Sequence, residues 1–89
     1  MYKTAELIEK LKKAYNLSSD YAAAKKIGIS PQTLSNYVNS KRSFDNKMAV
    51  EIAELLGLNP FDVIVSMDFE RACKKGDPSL ISFWQRYDH

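Results

Sequence analysis

The sequence contains only one cysteine, Cys73, and one histidine, His89, in 89 residues. A lone thiol cannot form an internal disulfide, and one cysteine with one histidine makes neither a metal site nor a nucleophile–base pair of recognisable spacing. A glycine-rich phosphate loop is also missing. We therefore expect no catalytic residue, no metal and no cofactor, and a protein that is not an enzyme. Cys73 is expected to be an inert, partly buried thiol, with a redox switch at a dimer interface as the alternative.

Long apolar runs are absent too. No segment approaches the about 18 consecutive apolar residues that a membrane span needs, and the N-terminal segment lacks the apolar centre of a signal peptide. Together with the single cysteine, this predicts a cytoplasmic protein without membrane contact and with no evident small-molecule ligand. The composition, 45% hydrophobic and 27% charged, is that of a globular protein with one modest core.

Strand patterns are missing as well, whereas apolar residues recur at spacings of three and four throughout the chain. The pattern predicts six helices and an all-α fold. Thr4 is expected to cap the first helix. The later start signals are Ser18 or Ser19, Ser30-Pro31, Ser43 or Asp45, Asn59-Pro60 and Asp77-Pro78. The expected stop signals are Gly28, Gly57 and Gly76.

The third predicted helix, which starts at Ser30-Pro31, has one apolar side and one uncharged polar side. At 100° per residue, Leu34 and Val38 share the apolar side. The polar side occupies an arc of about 100° and comprises Gln32, Ser35, Asn36 and Asn39, with Thr33 at its margin. An exposed helix usually carries Glu and Lys, so the lack of charge favours contact with DNA base edges. The alternative is an ordinary solvated surface.

Charge is unevenly distributed along the chain. The net charge is +2 for residues 1–18, +3 for residues 19–42, −3 for residues 43–66 and zero for the remainder. A basic half followed by an acidic segment fits a molecule that turns one face toward a polyanion, although such swings also occur by chance in small domains.

The segment AAAKKIGISPQTLSNYV combines a helix of small residues, the Gly28-Ile29-Ser30 turn and a polar-faced helix that leads into a basic loop. In this it resembles the helix-turn-helix of the lambda-repressor-like (XRE) family, and DNKMAVEIAELLGLNPFDVI resembles that family's fourth and fifth helices. The resemblance implies a lambda-repressor-like five-helix domain, residues 1–66, with a short C-terminal helical extension, residues 67–89, in the same compact domain.

The resemblance implies that the partner is double-stranded DNA, with the third helix in the major groove. The implied base-reading residues are Gln32, Thr33, Ser35 and Asn36. The implied DNA-backbone contacts are Ser19, Tyr21, Asn39, Lys41 and Arg42. Two positions depart from the family's habit. Asp20 stands where a backbone-contacting Gln is usual, so we expect it to cap the helix or turn away, and Pro31 replaces a polar contact residue.

Apolar residues near the C-terminus exceed what one small domain easily covers. They are Phe69, Phe83, Trp84 and Tyr87. They either dock on the body or form a two-fold dimer interface, and we favour the homodimer.

The expected function is sequence-specific transcription regulation, as a repressor that binds a palindromic operator. The phrase SDYAAAKKIGIS and the Trp-bearing tail look similar to small regulators of phages and prophages, filamentous phages among them, which implies a bacterial cell and association with its nucleoid. The alternatives are an antitoxin-like autoregulator with a protein partner, and a helical interaction module that does not bind DNA.

Overall fold

The structure, a computed structural model, describes residues 1–87. Over this range the regular structure is entirely helical, as predicted. The six helices are α1 (Thr4–Ala14), α2 (Asp20–Ile27), α3 (Pro31–Val38), α4 (Asn46–Leu56), α5 (Pro60–Lys75) and α6 (Pro78–Tyr87). None of them is long and apolar enough to cross a membrane. Residues 88–89, the end of the predicted extension, lie outside the described residues.

Most helix starts are the predicted ones. The side chains that accept a hydrogen bond from an N–H of the first turn are Ser19, Ser30, Asp45, Asn59 and Asp77. The prediction that Thr4 caps α1 is wrong. Lys3 is the N-cap and makes no side-chain cap, while Thr4 is the first helical residue and is fully buried. Its hydroxyl lies 2.6 Å from a carboxylate oxygen of Glu70 on α5, so a tertiary contact takes the group that local capping would have used.

Five helices end in the same backbone arrangement, the Schellman motif, in which a residue in the left-handed region is followed by an N–H that bonds back into the last turn. The left-handed residues are Asn16, Gly28, Ser40, Gly57 and Gly76. At the end of α3, the Lys41 N–H donates to the Asn36 carbonyl at 2.8 Å. Ser40, with φ of 60°, is the least suited residue of the five, because it has neither the freedom of glycine nor the tolerance of asparagine.

The core lies among α1 to α5. Its fully buried members include Leu7, Ile8, Leu11, Leu34, Ile52, Val63 and Met67. Of the three small residues at the centre of α2, Ala22, Ala23 and Ala24, the last two are buried in it. Phe44, in the loop between α3 and α4, is its largest fully buried side chain. A residue outside every helix therefore fills the centre of the domain.

The C-terminal helix α6 docks on α5 and has no buried residue. The indole N–H of Trp84 donates to the Asp68 carboxylate at 2.7 Å, and Trp84 and Phe69 are half-buried. Three other apolar side chains of α6 are exposed. Leu80, Phe83 and Tyr87 are 41%, 48% and 54% exposed. The helix thus docks on its own chain through Trp84 and presents an apolar stripe to solvent.

The predicted division of the chain and the predicted state of the cysteine both concern α5. This helix runs unbroken through residues 66 and 67, so the predicted boundary lies inside it. Cys73 is exposed near the end of the same helix, and the prediction that it is partly buried is wrong. It lies in the last turn, where the helix extends beyond the core.

Candidate nucleic-acid interface

The turn between α2 and α3 fixes the direction in which α3 leaves the core. Gly28, with φ of 74°, ends α2, and the Ile29 N–H donates to the Ala24 carbonyl at 3.0 Å. Ile27 is buried and Ile29 packs against the core from the edge. Two apolar anchors on either side of one left-handed glycine leave α2 and α3 little freedom to move against each other.

The inner side of α3 is held by aromatic and aliphatic packing. Leu34 is fully buried and Tyr37 is 4% exposed. The Tyr37 ring meets the Phe44 ring edge to face, with ring centroids 4.7 Å apart. Because these residues face inward, the predicted polar side must face outward.

The outer side of α3 carries the predicted base-reading residues, and they bond to one another along the helix. The Asn39 amide donates to the Ser35 hydroxyl at 3.1 Å, and the Gln32 amide lies 3.5 Å from the Asn36 oxygen. Thr33 pairs with the capping hydroxyl of Ser30 at 2.9 Å. An amide has two donors and one acceptor oxygen, so one such bond leaves capacity for a base edge. The row therefore keeps donors and acceptors available for a ligand.

The loop that follows α3, residues 39–45, is here called the anchor loop. Its two basic side chains, Lys41 and Arg42, are exposed, while Ser43 and Phe44 are buried. The Arg42 guanidinium lies 5.5 Å from the centre of the Tyr37 ring, a cation–π arrangement. The loop is therefore pinned at its second half and presents positive charge beside the end of α3.

A carboxylate on α5 pins the anchor loop, and sequence reasoning missed it because no local pattern marks it. Glu70 accepts hydrogen bonds from the Ser43 hydroxyl and from both the backbone N–H and the hydroxyl of Thr4. Partial burial by itself would raise the pKa of Glu70. The bonds from Ser43 and Thr4, helped by the charge of Lys74, outweigh burial and hold the pKa below its ordinary value. Glu70 is thus ionised at neutral pH.

Asp20, which we expected either to cap α2 or to turn away, does not cap the helix. Ser19 caps the helix by accepting from the Ala22 N–H at 3.1 Å, and Asp20 instead pairs with the Lys12 ammonium of α1 at 3.0 Å. The hydrogen bond to Asp20 is the main cause that raises the pKa of Lys12. Tyr21 is 67% exposed. The carboxylate that departs from the family's habit is therefore partly neutralised within the chain.

The elements just described lie within the region that matches a known protein family. The model of the helix-turn-helix family matches residues 7–63, which is more than half of the chain and spans α2, the turn, α3 and the anchor loop. The chain belongs to the lambda-repressor-like (XRE) helix-turn-helix family. No curated protein and no solved structure matches it.

The family match confirms the predicted helix-turn-helix, and this helix-turn-helix protein is a DNA-binding transcription regulator of the XRE type. All four predicted base-reading residues belong to α3, with Asn39, Lys41 and Arg42 immediately after it. Their contacts with DNA stay predictions, as do the roles of Ser19 and Tyr21 and the dimer interface.

Proposed function

We propose that this helix-turn-helix protein is a repressor that binds a palindromic operator as a homodimer. The observation that carries the proposal is the two-sided character of α3. Leu34 and Tyr37 lock its inner side into the core, and a row of uncharged donors and acceptors covers its outer side. A rigid helix with such a row suits the major groove, where each base pair presents its own pattern of donors and acceptors.

Different residues would supply the specificity and the affinity of DNA binding. Gln32 and Asn36 can each form a two-point contact with adenine. The hydroxyls of Thr33 and Ser35 can bond a base or a phosphate, and the Thr33 methyl can pack on thymine. Lys41 and Arg42, with Asn39, would contact phosphates and supply the part of the affinity that depends on salt. Ser19 and Tyr21, at the start of α2, would contact the DNA backbone. An occupied operator that overlaps a promoter excludes the polymerase, which is the simplest route to repression.

The apolar stripe on α6 supports the homodimer. Leu80, Phe83 and Tyr87 recur at spacings of three and four and are about half exposed, and Trp84 stacks edge-on against Phe83 and Tyr87 at 4.8 and 5.7 Å. Phe69 of α5, the remaining member of the proposed interface, is half-buried. In a two-fold dimer, the two α3 helices would bind half-sites about 34 Å apart. The resemblance of the SDYAAAKKIGIS phrase adds a phage or prophage setting to the proposal.

The same stripe also fits a protein partner, which keeps the antitoxin-like autoregulator as the second candidate. Both candidates bind DNA and differ in what covers α6. Sedimentation of the purified protein separates them, because a self-association surface gives dimers without any other chain, whereas a surface reserved for a different protein leaves monomers.

Selection of bound sequences from random DNA tests the main proposal. A palindromic consensus with two half-sites about one helical turn apart is expected. A salt titration on random duplex completes the test, because binding through several phosphates weakens steeply with salt. A protein that binds neither the selected nor the random duplex at low salt would be a helical interaction module, and the proposal would fail.

A further inference from the structure

Two consecutive residues of α5 hold the anchor loop at its buried residues, Ser43 and Phe44. Glu70 accepts a hydrogen bond from the Ser43 hydroxyl, and the Arg71 guanidinium donates to the Phe44 carbonyl at 3.0 Å. Arg71 is itself oriented by Asp68, one turn earlier, at 3.8 Å. The two loop contacts join residues 27 positions apart in the chain. The loop that carries Lys41 and Arg42 is therefore fixed by a helix outside the helix-turn-helix.

Glu70 also connects the anchor loop to the start of α1. The Thr4 hydroxyl donates to the same carboxylate oxygen as Ser43, at 2.6 Å, and the Thr4 N–H donates to the other oxygen at 3.1 Å. One carboxylate thus joins α1, α5 and the loop. Its position near the N-terminus of α1 is favourable for a negative charge.

The Glu70 charge does not assist DNA binding by attraction. Glu70 bonds to the anchor loop, whose exposed Lys41 and Arg42 are suited to phosphates, and an anion reduces the attraction of that region for DNA. The carboxylate is instead a hydrogen-bond acceptor that takes three donors at once, which a neutral side chain of this size cannot match. Its contribution is to hold the anchor loop in a fixed conformation.

We propose that Glu70 and Arg71 are positioning residues for DNA binding. They hold the anchor loop in the one arrangement in which Lys41 and Arg42 reach the phosphates together while α3 lies in the groove. The inference rests on the proposed function and adds to it two residues on α5 that touch no DNA.

The test uses variants that loosen the loop while the rest of the fold stays intact. Ser43→Ala removes only the loop's bond to Glu70 and leaves both Thr4 bonds in place. Glu70→Ala removes all three. Ser66→Ala is the matched control, because Ser66 is a buried residue of α5 whose hydroxyl accepts from the Tyr2 N–H at 3.1 Å and donates to the Asp62 carbonyl at 2.7 Å, rather than bonding to the loop. Thermal melts of the full chain set a temperature at which every variant is folded.

Binding is measured by fluorescence anisotropy on a labelled duplex of mixed sequence, between about 50 and 200 mM salt. Ser43→Ala and Glu70→Ala should reduce the slope of log K against log salt by about 1 to 2. Affinity near 0.1 M salt should fall about tenfold for each phosphate that the loop no longer binds, since each contributes a slope of about −0.9. Ser66→Ala should keep the wild-type slope. On a Lys41→Ala/Arg42→Ala background, Ser43→Ala should have no further effect, because the side chains that it positions are already gone.

The outcomes separate the two ideas. If the wild type binds and folded Ser43→Ala and Glu70→Ala keep its slope, the positioning role is rejected while the DNA-binding function stands. Equal slope changes in Ser66→Ala would also reject it, because loss of stability alone would then explain the effect. A wild type that binds no duplex would instead reject the proposed function.

Discussion

The rings of Tyr37 and Phe44 meet edge to face, with centroids 4.7 Å apart and planes inclined by 61°. Tyr37 belongs to α3 and Phe44 to the anchor loop, so this contact closes the end of the reading helix onto the loop that follows it. Phe44 is fully buried. The pair makes the geometry of the candidate DNA surface depend on the centre of the core.

Phe44→Ala should therefore be severe. Removing a buried phenyl ring costs about 3–5 kcal/mol, a large part of the stability of a small domain. Urea unfolding followed by circular dichroism measures it. Phe61→Ala is the control, because Phe61 is 73% exposed and its truncation should stay within about 0.5 kcal/mol. A loss for Phe44→Ala as small as the one expected for Phe61→Ala would show that Phe44 does not support the core.

Gln32→Ala or Asn36→Ala should weaken binding to the preferred operator by about 1–3 kcal/mol and relax preference at one base pair. The reason is that each amide offers a two-point contact that alanine lacks. Anisotropy titrations on the selected operator and on its single-base-pair variants measure the change, with Gln85→Ala on α6 as the control. A loss of equal size on every duplex would mean that these residues do not read bases.

Ser40→Gly should stabilise the fold. Ser40 holds φ of 60° at the end of α3, a region that glycine enters without steric cost, so the gain should be about 0.5–1 kcal/mol. The midpoint of urea unfolding reports it. Asn16→Gly, in the same motif at the end of α1, should gain less because asparagine tolerates this region. An unchanged or lower midpoint for Ser40→Gly would contradict the assignment of strain to this position.

Stability should depend on pH through Glu70. Its hydrogen bonds hold the pKa below the ordinary value of 4.5, so the folded state binds the proton less readily than the unfolded state. The stabilisation is then complete above that ordinary value and is lost as pH falls through the lower, folded-state pKa. Glu70→Gln should cost about 1–2 kcal/mol at pH 7, a figure reduced because the group is partly exposed.

The difference in the free energy of unfolding between Glu70→Gln and the wild type should shrink as the pH falls below about 4.5, since both side chains become neutral. Unfolding at several pH values measures it, and Glu51→Gln controls for the loss of one negative charge. A constant difference between the two proteins across the acid range would show that the Glu70 charge is not what the bonds stabilise.

Phe83→Asp should dissociate the proposed dimer. A carboxylate buried in an apolar interface without a partner costs enough to raise the dimer dissociation constant about a hundredfold. Gln85→Asp places the same charge on the other side of α6 and should leave association unchanged. Sedimentation velocity at several concentrations compares them. A dimer that survives Phe83→Asp would exclude the α6 stripe as the interface.

Local rules predicted much of this structure. Ser30-Pro31 and Asn59-Pro60 start helices where a capping side chain and a fixed φ agree, and Gly28 ends one because it enters the left-handed region. The polar side of α3 followed from helical geometry alone. These features depend on neighbours within one or two turns, which a sequence displays directly.

Contacts between distant residues could not be predicted. Phe44 is a single apolar residue in a polar loop, so no periodicity marks it as core. Glu70 takes its partners from residues 27 and 66 positions away. Thr4 looked like a cap because a threonine before an amphipathic helix usually is one, and only the packing of α5 against it reassigns its hydroxyl. The positive charge of the loop was predicted correctly, but the side chains of α5 that hold the loop, Glu70 and Arg71, were not.

The division of α3 into a buried side and an outward polar row has a consequence for the evolution of operator specificity. A substitution at Gln32 or Asn36 changes no core contact, so its effect on folding should be small. Mutations there can alter which operator is recognised while the chain still folds. Duplicated genes could therefore acquire separate targets through few changes, each passing through folded intermediates. The descendants would keep the fold and differ in the operator sequence that they recognise.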